Sequence, residues 1–292
     1  MFNAIRKSIP YALACAGLLT ACTDKKAHSK EMASTAGQTT SETAPTTVTI
    51  VRQWMLPAYL NEISGIVPYR NLLACIQDED GIIFLFNPAT GQVEKQIPFG
   101  EKGDYEGISV IDETAWVLRS DGQLFEVRNF ASGNPVLQQY ATPLTQKQDT
   151  EGLTYDVVNK RLLISVKGKD PESTETKSVF AFNLTTHRMD ASPVYQLSVA
   201  EPTASGKKGK KKTNKLQPSE IALHPKTGEL YVLDGPKSIL YIMDTTGAEI
   251  RSYPLGTKDF PQPEGLAFTP DGRFYISTEG GTRRGAILEV RL

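Results

Sequence analysis

The chain is poor in the residues from which reactive centres are usually built. Among its 292 residues are three cysteines, three histidines and two tryptophans. Cys15 and Cys22 lie near the N-terminus, and Cys75 stands alone inside the apolar run "NLLACI". One internal cysteine allows no disulfide framework, so Cys75 reads as a small buried hydrophobe. His28, His187 and His224 are scattered, and none falls at a motif described below. That excludes a zinc cluster and a Ser-His-Asp set. There is no G-x-S-x-G elbow, and no glycine-rich phosphate loop leads into a helix. Charge of either sign is not in excess: 32 Lys and Arg against 33 Asp and Glu give a net charge of −1. No global field therefore recruits nucleic acid or an anionic membrane. No long stretch carries a persuasive 3.6-residue period, which argues against a helical fold.

The N-terminal segment reads differently from the rest. Arg6 and Lys7 precede the apolar run Ile9–Leu19, which is too short to span a bilayer. It ends in "LTAC", Leu19–Cys22, and small residues before a cysteine resemble a bacterial lipobox. On that resemblance residues 1–21 form a lipoprotein signal peptide and Cys22 carries the lipid; the alternative is an ordinary signal peptide with an incidental cysteine. Several acyl chains on one cysteine hold firmly where a single chain would not. Residues 22–46 are rich in Ser, Thr, Ala and Lys and nearly free of branched apolar residues, the composition of a flexible tether. Thr23, where an aspartate would suggest inner-membrane retention, favours the outer membrane of a bacterial cell envelope, facing either the periplasm or the surface.

Residues 47–292 are long enough for one domain with a large core. They repeat. "ISGIVPY", "YEGISVI", "TEGLTYD", "PSEIALH" and "PEGLAFT" begin at Ile63, Tyr105, Thr150, Pro218 and Pro263. Their second residues, Ser64, Glu106, Glu151, Ser219 and Glu264, are separated by 42, 45, 68 and 45 positions. Each motif leads into a second and a third run rich in branched and aromatic residues, with turn signals such as "HPKTGE" and "TPDGR" between the first two. Four units add a weaker fourth run, for example "QVEKQIPF". A period near 45 with four short strands per unit predicts an all-β, five-bladed β-propeller of four-stranded antiparallel blades. The last unit lacks a strand, and "TVTIVRQW" from Thr47 belongs to none. It is expected to pair in the last blade and close the ring, removing two edges. The alternative of six blades needs a cryptic blade in the 68-residue gap, whose excess is instead taken up by "SGKKGKKKTNK", Ser205–Lys215. That run reads as a surface insertion, either a solvated loop or a grip for an anionic partner.

In such a ring the first strand of each blade lines the channel, and the five motif starts converge on one mouth. The motif glycines and branched residues are accounted for by close approach and inter-blade packing. Glu106, Glu151 and Glu264 are not. Glu220 stands one place later, and Glu62 two places before Ser64. Carboxylates crowded at one mouth must be protonated or neutralised by a cation, and hard oxygen ligands suit Ca²⁺. The expected calcium site is Glu106, Glu151 and Glu264, with Glu220 a further candidate; the competing reading is that they cap loops and accept backbone N–H groups. Asp104 and Asp149 precede two of the motifs. Asp78, Arg119, Lys167, Asp234 and Glu279 close the second runs and are expected at the same face, as is Ser219.

The segments "NEISGI", "DYEGISVI", "DTEGLTYD", "QPSEIALHP" and "QPEGLAFTPDG" together resemble the SdiA-regulated family of bacterial periplasmic propellers, over roughly residues 50 to 292. The resemblance implies a five-bladed propeller with a calcium site near its axis, its acidic positions falling on Glu106, Glu151 and Glu264. Ser64 departs from that pattern. Two functions are compatible: a monomeric, lipid-anchored binding module offering the axial face to a protein, peptide, glycan or small molecule, or a Ca²⁺-dependent lactonase or phosphoesterase with Glu106 or Asp104 as base.

Overall fold

The structure, a computed structural model, describes residues 47–199 and 216–292. Cys22, the segment 1–46 and the Lys-rich insertion lie outside the described residues. The first strand, β1 (Thr49–Met55), joins the last blade rather than the first. Blade 1 is β2 (Ile63–Tyr69), β3 (Leu72–Gln77), β4 (Ile82–Asn87) and β5 (Gln92–Pro98), and blade 2 is β6 (Tyr105–Ile111), β7 (Thr114–Arg119), β8 (Leu124–Arg128) and β9 (Val136–Tyr140). Blade 3 is β10 (Thr150–Asp156), β11 (Arg161–Val166) and β12 (Lys177–Asn183), with an outer edge split into β13 (Arg188–Met189) and β14 (Tyr195–Leu197). Blade 4 is β15 (Pro218–Leu223), β16 (Leu230–Asp234), β17 (Ile239–Met243) and β18 (Glu249–Pro254). Blade 5 is β19 (Pro263–Phe268), β20 (Phe274–Thr278), β21 (Ala286–Arg291) and β1. The protein is thus a five-bladed β-propeller of antiparallel four-stranded blades, closed by its N-terminal strand.

The uneven strength of the runs has a packing cause. The inner strands lie between two neighbouring blades and are buried on both faces, so β3 reads as the continuous apolar "LLACIQ". Outer strands meet solvent, and β9, "VLQQY", is mostly exposed. The core is accordingly divided into five clusters, each between adjacent blades. The motif residue Ile108 packs between blades 1 and 2, Leu153 between 2 and 3, Ile221 between 3 and 4, Leu266 between 4 and 5, and Ile66 between 5 and 1.

The described residues of the long repeat interval hold blade 3 and no sixth blade. Its outer strand breaks between Met189 and Tyr195, yet Asp190 and Val194 still donate backbone hydrogen bonds to Ala181 and Val179 of β12.

The feature that shapes the axis is a register irregularity shared by all five inner strands. It falls between Ile63 and Ile66, Tyr105 and Gly107, Thr150 and Leu153, Pro218 and Glu220, and Pro263 and Gly265. A bulge places two residues against one and re-aims a side chain. Here it coincides with the second residue of every motif. A glycine is needed where the bulged backbone meets the next blade: a Cβ on Gly107 would lie 2.6 Å from Leu153 Cβ and 2.8 Å from the Glu151 carbonyl oxygen.

Candidate axial site

Each motif position resolves into one of two roles. Where the second residue is serine, it braces the next blade. Ser64 Oγ donates to the Tyr105 carbonyl at 2.7 Å, and Ser219 Oγ donates to the Pro263 carbonyl at 2.8 Å. These two are struts between blades, not ligands of the mouth. Where the second residue is glutamate, the carboxyl group enters the axial cluster. Glu151 and Glu264 are almost fully buried, at 4% and 5% exposure, and Glu106 is half-buried.

Glu220 has a separate task. Its carboxylate Oε1 accepts the backbone N–H of Leu153 in blade 3 and of Ile221 in its own strand, both at 2.9 Å. It occupies the glycine place of its motif and staples two inner strands across the bulge. Desolvation raises its pKa well above the usual carboxylate range, and the two backbone N–H groups oppose that.

Lys167, the residue after β11, stands at the centre of the charge balance. Its Nζ donates to Glu151 Oε1 at 2.8 Å, with side-chain exposures of 21% for Lys167 and 6% for Glu151. Burial alone would lower the lysine pKa, but the charges of Glu151, Glu264 and Glu106 hold it above its ordinary value. The carboxyls respond in the opposite sense. Glu106 is pushed up by burial, then by the charges of Glu151 and Asp104. Burial also raises Glu151, with Lys167 opposing. Glu264 rises to about 7 by burial, again opposed by Lys167. Glu279 rises to about 7 by burial and the charges of Asp78 and Glu62, and Asp78 rises to about 6 by burial and the charges of Glu62, Glu79 and Asp104.

The structure therefore brings together Glu62, Asp78, Asp104, Glu106, Asp149, Glu151, Lys167, Glu264 and Glu279, near enough that each feels another's charge. Two residues expected there are engaged elsewhere. Arg119 forms a bidentate pair with Asp121 at 3.0 and 2.8 Å and lies over the Phe125 ring. Asp234 is fully buried, pairs with Lys237 at 3.0 Å, and accepts the backbone N–H groups of Gln217 and Lys237. Both residues close their second runs as expected, but each organises its own turn.

The model of the SdiA-regulated family matches residues 43–282. The chain belongs to the SdiA-regulated family. No curated protein matches it significantly. Among solved structures, this SdiA-regulated chain is similar to Myxococcus xanthus glutaminyl cyclase at 16% identity and a TM-score of 0.61, over 84% of this chain and 96% of that one. It is also similar to a luciferin-regenerating enzyme at 10% identity and a TM-score of 0.51, over 82% and 95%. At such identities the likeness is one of fold.

The calcium ion expected from the family resemblance can be tested against the donor set. Calcium asks for six to eight oxygen ligands around one point. In the SdiA-regulated propeller Glu151 is in direct contact with an ammonium, and the bonded oxygen of Glu220 is taken by two backbone amides. Among the described residues no three Asp, Glu, His or Cys side chains are grouped to hold a metal. As arranged, the mouth does not fit a calcium site.

A second feature of the channel escaped sequence reasoning. The far halves of the inner strands enclose an apolar cavity of about 680 Å³, lined among others by Val67, Val110, Tyr155, Leu223 and Phe268. It lies at the opposite end of the strands from the carboxylates. Val157 and Val158, 68% and 89% exposed, stand at its lip. Two adjacent valines in the turn "DVVNK" were the one signal available for it.

Proposed function

We propose that this SdiA-regulated propeller is a binding module of the bacterial cell envelope, held by lipid on Cys22, whose axial mouth takes a cationic ligand. The observation that carries the reading is the imbalance of charge at that mouth. Carboxyl groups from blades 2, 3 and 5 act on one ammonium, that of Lys167, and Glu62 and Asp78 from blade 1 add their charge at Glu279. Glu62 and Asp104 are exposed, and Asp78 and Glu279 are half-buried, so acid remains at the rim after Lys167 has neutralised the floor. A cation arriving there favours the ionised form of Asp78 and Glu279, whose pKa values burial raises to about 6 and about 7. Such a site gives orientation and rapid, salt-sensitive association.

Isothermal titration of the full chain in detergent with spermidine, a flexible polycation, tests this. Saturable binding is expected, weakened by added salt. It should fall about tenfold in a D104N/E279Q variant, a loss of roughly 1.4 kcal/mol. An absence of saturable heat, or an affinity unmoved by the double substitution, would overturn the reading.

A further inference from the structure

We infer that Lys167 is the built-in cation of the axial mouth: it takes the place and the charge-balancing duty of a divalent ion, so that this propeller needs no metal to hold its five inner strands together. This goes beyond the binding reading and stands whether or not an external ligand visits the rim.

Three observations support it. The first is contact. The Lys167 ammonium touches Glu151, the motif residue of its own blade, at 2.8 Å. Glu106 and Glu264, the motif residues of blades 2 and 5, are close enough for their charges to act on it. The lysine is thus in direct contact with one of the three positions expected to share a metal ion and acts on the other two through space. The second is how firmly its backbone is held. Lys167 N–H donates to the Asp149 carbonyl and Gly168 N–H to that of Gln148, at 2.9 and 2.8 Å, tying the end of β11 to the segment that enters the blade 3 motif. The Lys177 ammonium donates to the carbonyls of Lys167 and Gly168 from the neighbouring strand. A lysine on a pinned backbone loses less freedom when its head group is fixed, which favours a permanent pair over a transient one. The third is what the remaining motif positions do. Ser64 and Ser219 tie blade 1 to blade 2 and blade 4 to blade 5, while Glu220 ties blade 4 to blade 3. Direct hydrogen bonds thus join the blades where a metal-centred ring would have used the ion.

The test uses the full chain in detergent, as wild type, K167M and K167R. K167M keeps the aliphatic stem and removes the charge; K167R keeps the charge. Metal content is measured by mass spectrometry after purification without chelator, and melting temperature with EDTA and with millimolar Ca²⁺. Wild type should carry no stoichiometric calcium and melt at the same temperature in both buffers. K167M should melt roughly 5 °C lower, a shift typical of 1–2 kcal/mol in a domain of this size. It should regain at least half the loss in Ca²⁺, which wild type does not respond to. K167R should stay within about 2 °C of wild type. Stoichiometric calcium in wild type, a wild-type melt raised by Ca²⁺, or a K167M melt equal to wild type would each overturn the inference. So would a K167M loss that Ca²⁺ leaves untouched, since the lysine would then act by shape alone. Should K167M fail to fold, the metal content and calcium response of wild type decide the matter. Spermidine binding to wild type is read separately, so failure of the rim reading and failure of this one are distinguishable.

Discussion

At the scale of single residues, the axial glutamates illustrate how burial and one counter-charge divide the same side chain into different roles. Glu220 is wholly enclosed and satisfied by amides; Glu151 is enclosed and paired with an ammonium; Glu264 is enclosed and raised by burial to about 7. The sign of the consequence for Glu264 follows from proton linkage. Its folded pKa lies above the unfolded value, so the folded state binds more protons between pH 4.5 and about 7. The stabilisation is complete below pH 4.5 and is lost as the pH rises through about 7. At 1.36 kcal/mol per unit this is of order 3 kcal/mol at most. Denaturant unfolding across that window should show stability declining with pH. In E264Q, which mimics the neutral acid, the decline should be shallower and stability above pH 7.5 or so should equal or exceed wild type. A slope identical in the two proteins would remove Glu264 from the cause, leaving the other raised carboxyls, Glu106, Glu151, Glu279 and Asp78.

At the scale of elements, closure of the ring rests on β1. It pairs with β21 from Thr49–Arg291 to Met55–Ala286. Trp54 then sets its ring against Phe86 of blade 1 and Tyr275 of blade 5, at 5.9 and 6.2 Å, so one residue covers the seam between the first and last blades. Beyond the strand, Leu56 N–H donates to the Gly285 carbonyl and Arg284 donates to the Leu56 carbonyl. Deletion of residues 47–55 would leave β21 as an open edge with a mostly buried apolar pattern. Open edges of that kind associate. Size-exclusion chromatography of the deletion variant should show soluble aggregate or no monomer, where the intact chain gives one. A monomer with an unchanged melting temperature would show that β1 is dispensable for closure.

For the whole molecule, anchoring and binding face are separate questions. The full chain carries a net charge of −1, and no helix among the described residues is long and apolar enough to cross a membrane. The proposed attachment through lipid on Cys22 is open to a direct test. In a bacterial host the wild-type chain should partition into the detergent phase of membranes and C22A into the soluble fraction, with mass spectrometry of the N-terminal peptide reporting the acyl groups. A C22A chain that still partitions with membranes would exclude lipid on that cysteine as the anchor. The long N-terminal tether expected from composition would leave the axial mouth free to meet ligands at a distance from the bilayer.

The sequence by itself determined the architecture, because periodicity is a one-dimensional property. Five motifs near a 45-residue spacing, apolar runs of strand length and one orphan N-terminal run were enough to specify five blades and the strand that closes them. It also determined which residues gather at the mouth in broad terms, since equivalent positions in equivalent blades must lie on one ring. What only the tertiary structure decided is what each of them touches. "SEI" at Ser219–Ile221 reads like "EGL" displaced by one place, but the bulge turns Ser219 toward the Pro263 carbonyl and Glu220 toward the Leu153 amide. Lys167, Arg119 and Asp234 look equivalent at the ends of second strands, yet Arg119 finds Asp121 two residues away and Asp234 finds Lys237 three residues away. Lys167 has no such local partner and reaches Glu151 across the strand pair. Which acid each of them meets depends on side-chain reach and burial in three dimensions. The same holds for the cavity at the far end of the channel, which is made of the space between five strands rather than of any residue in them.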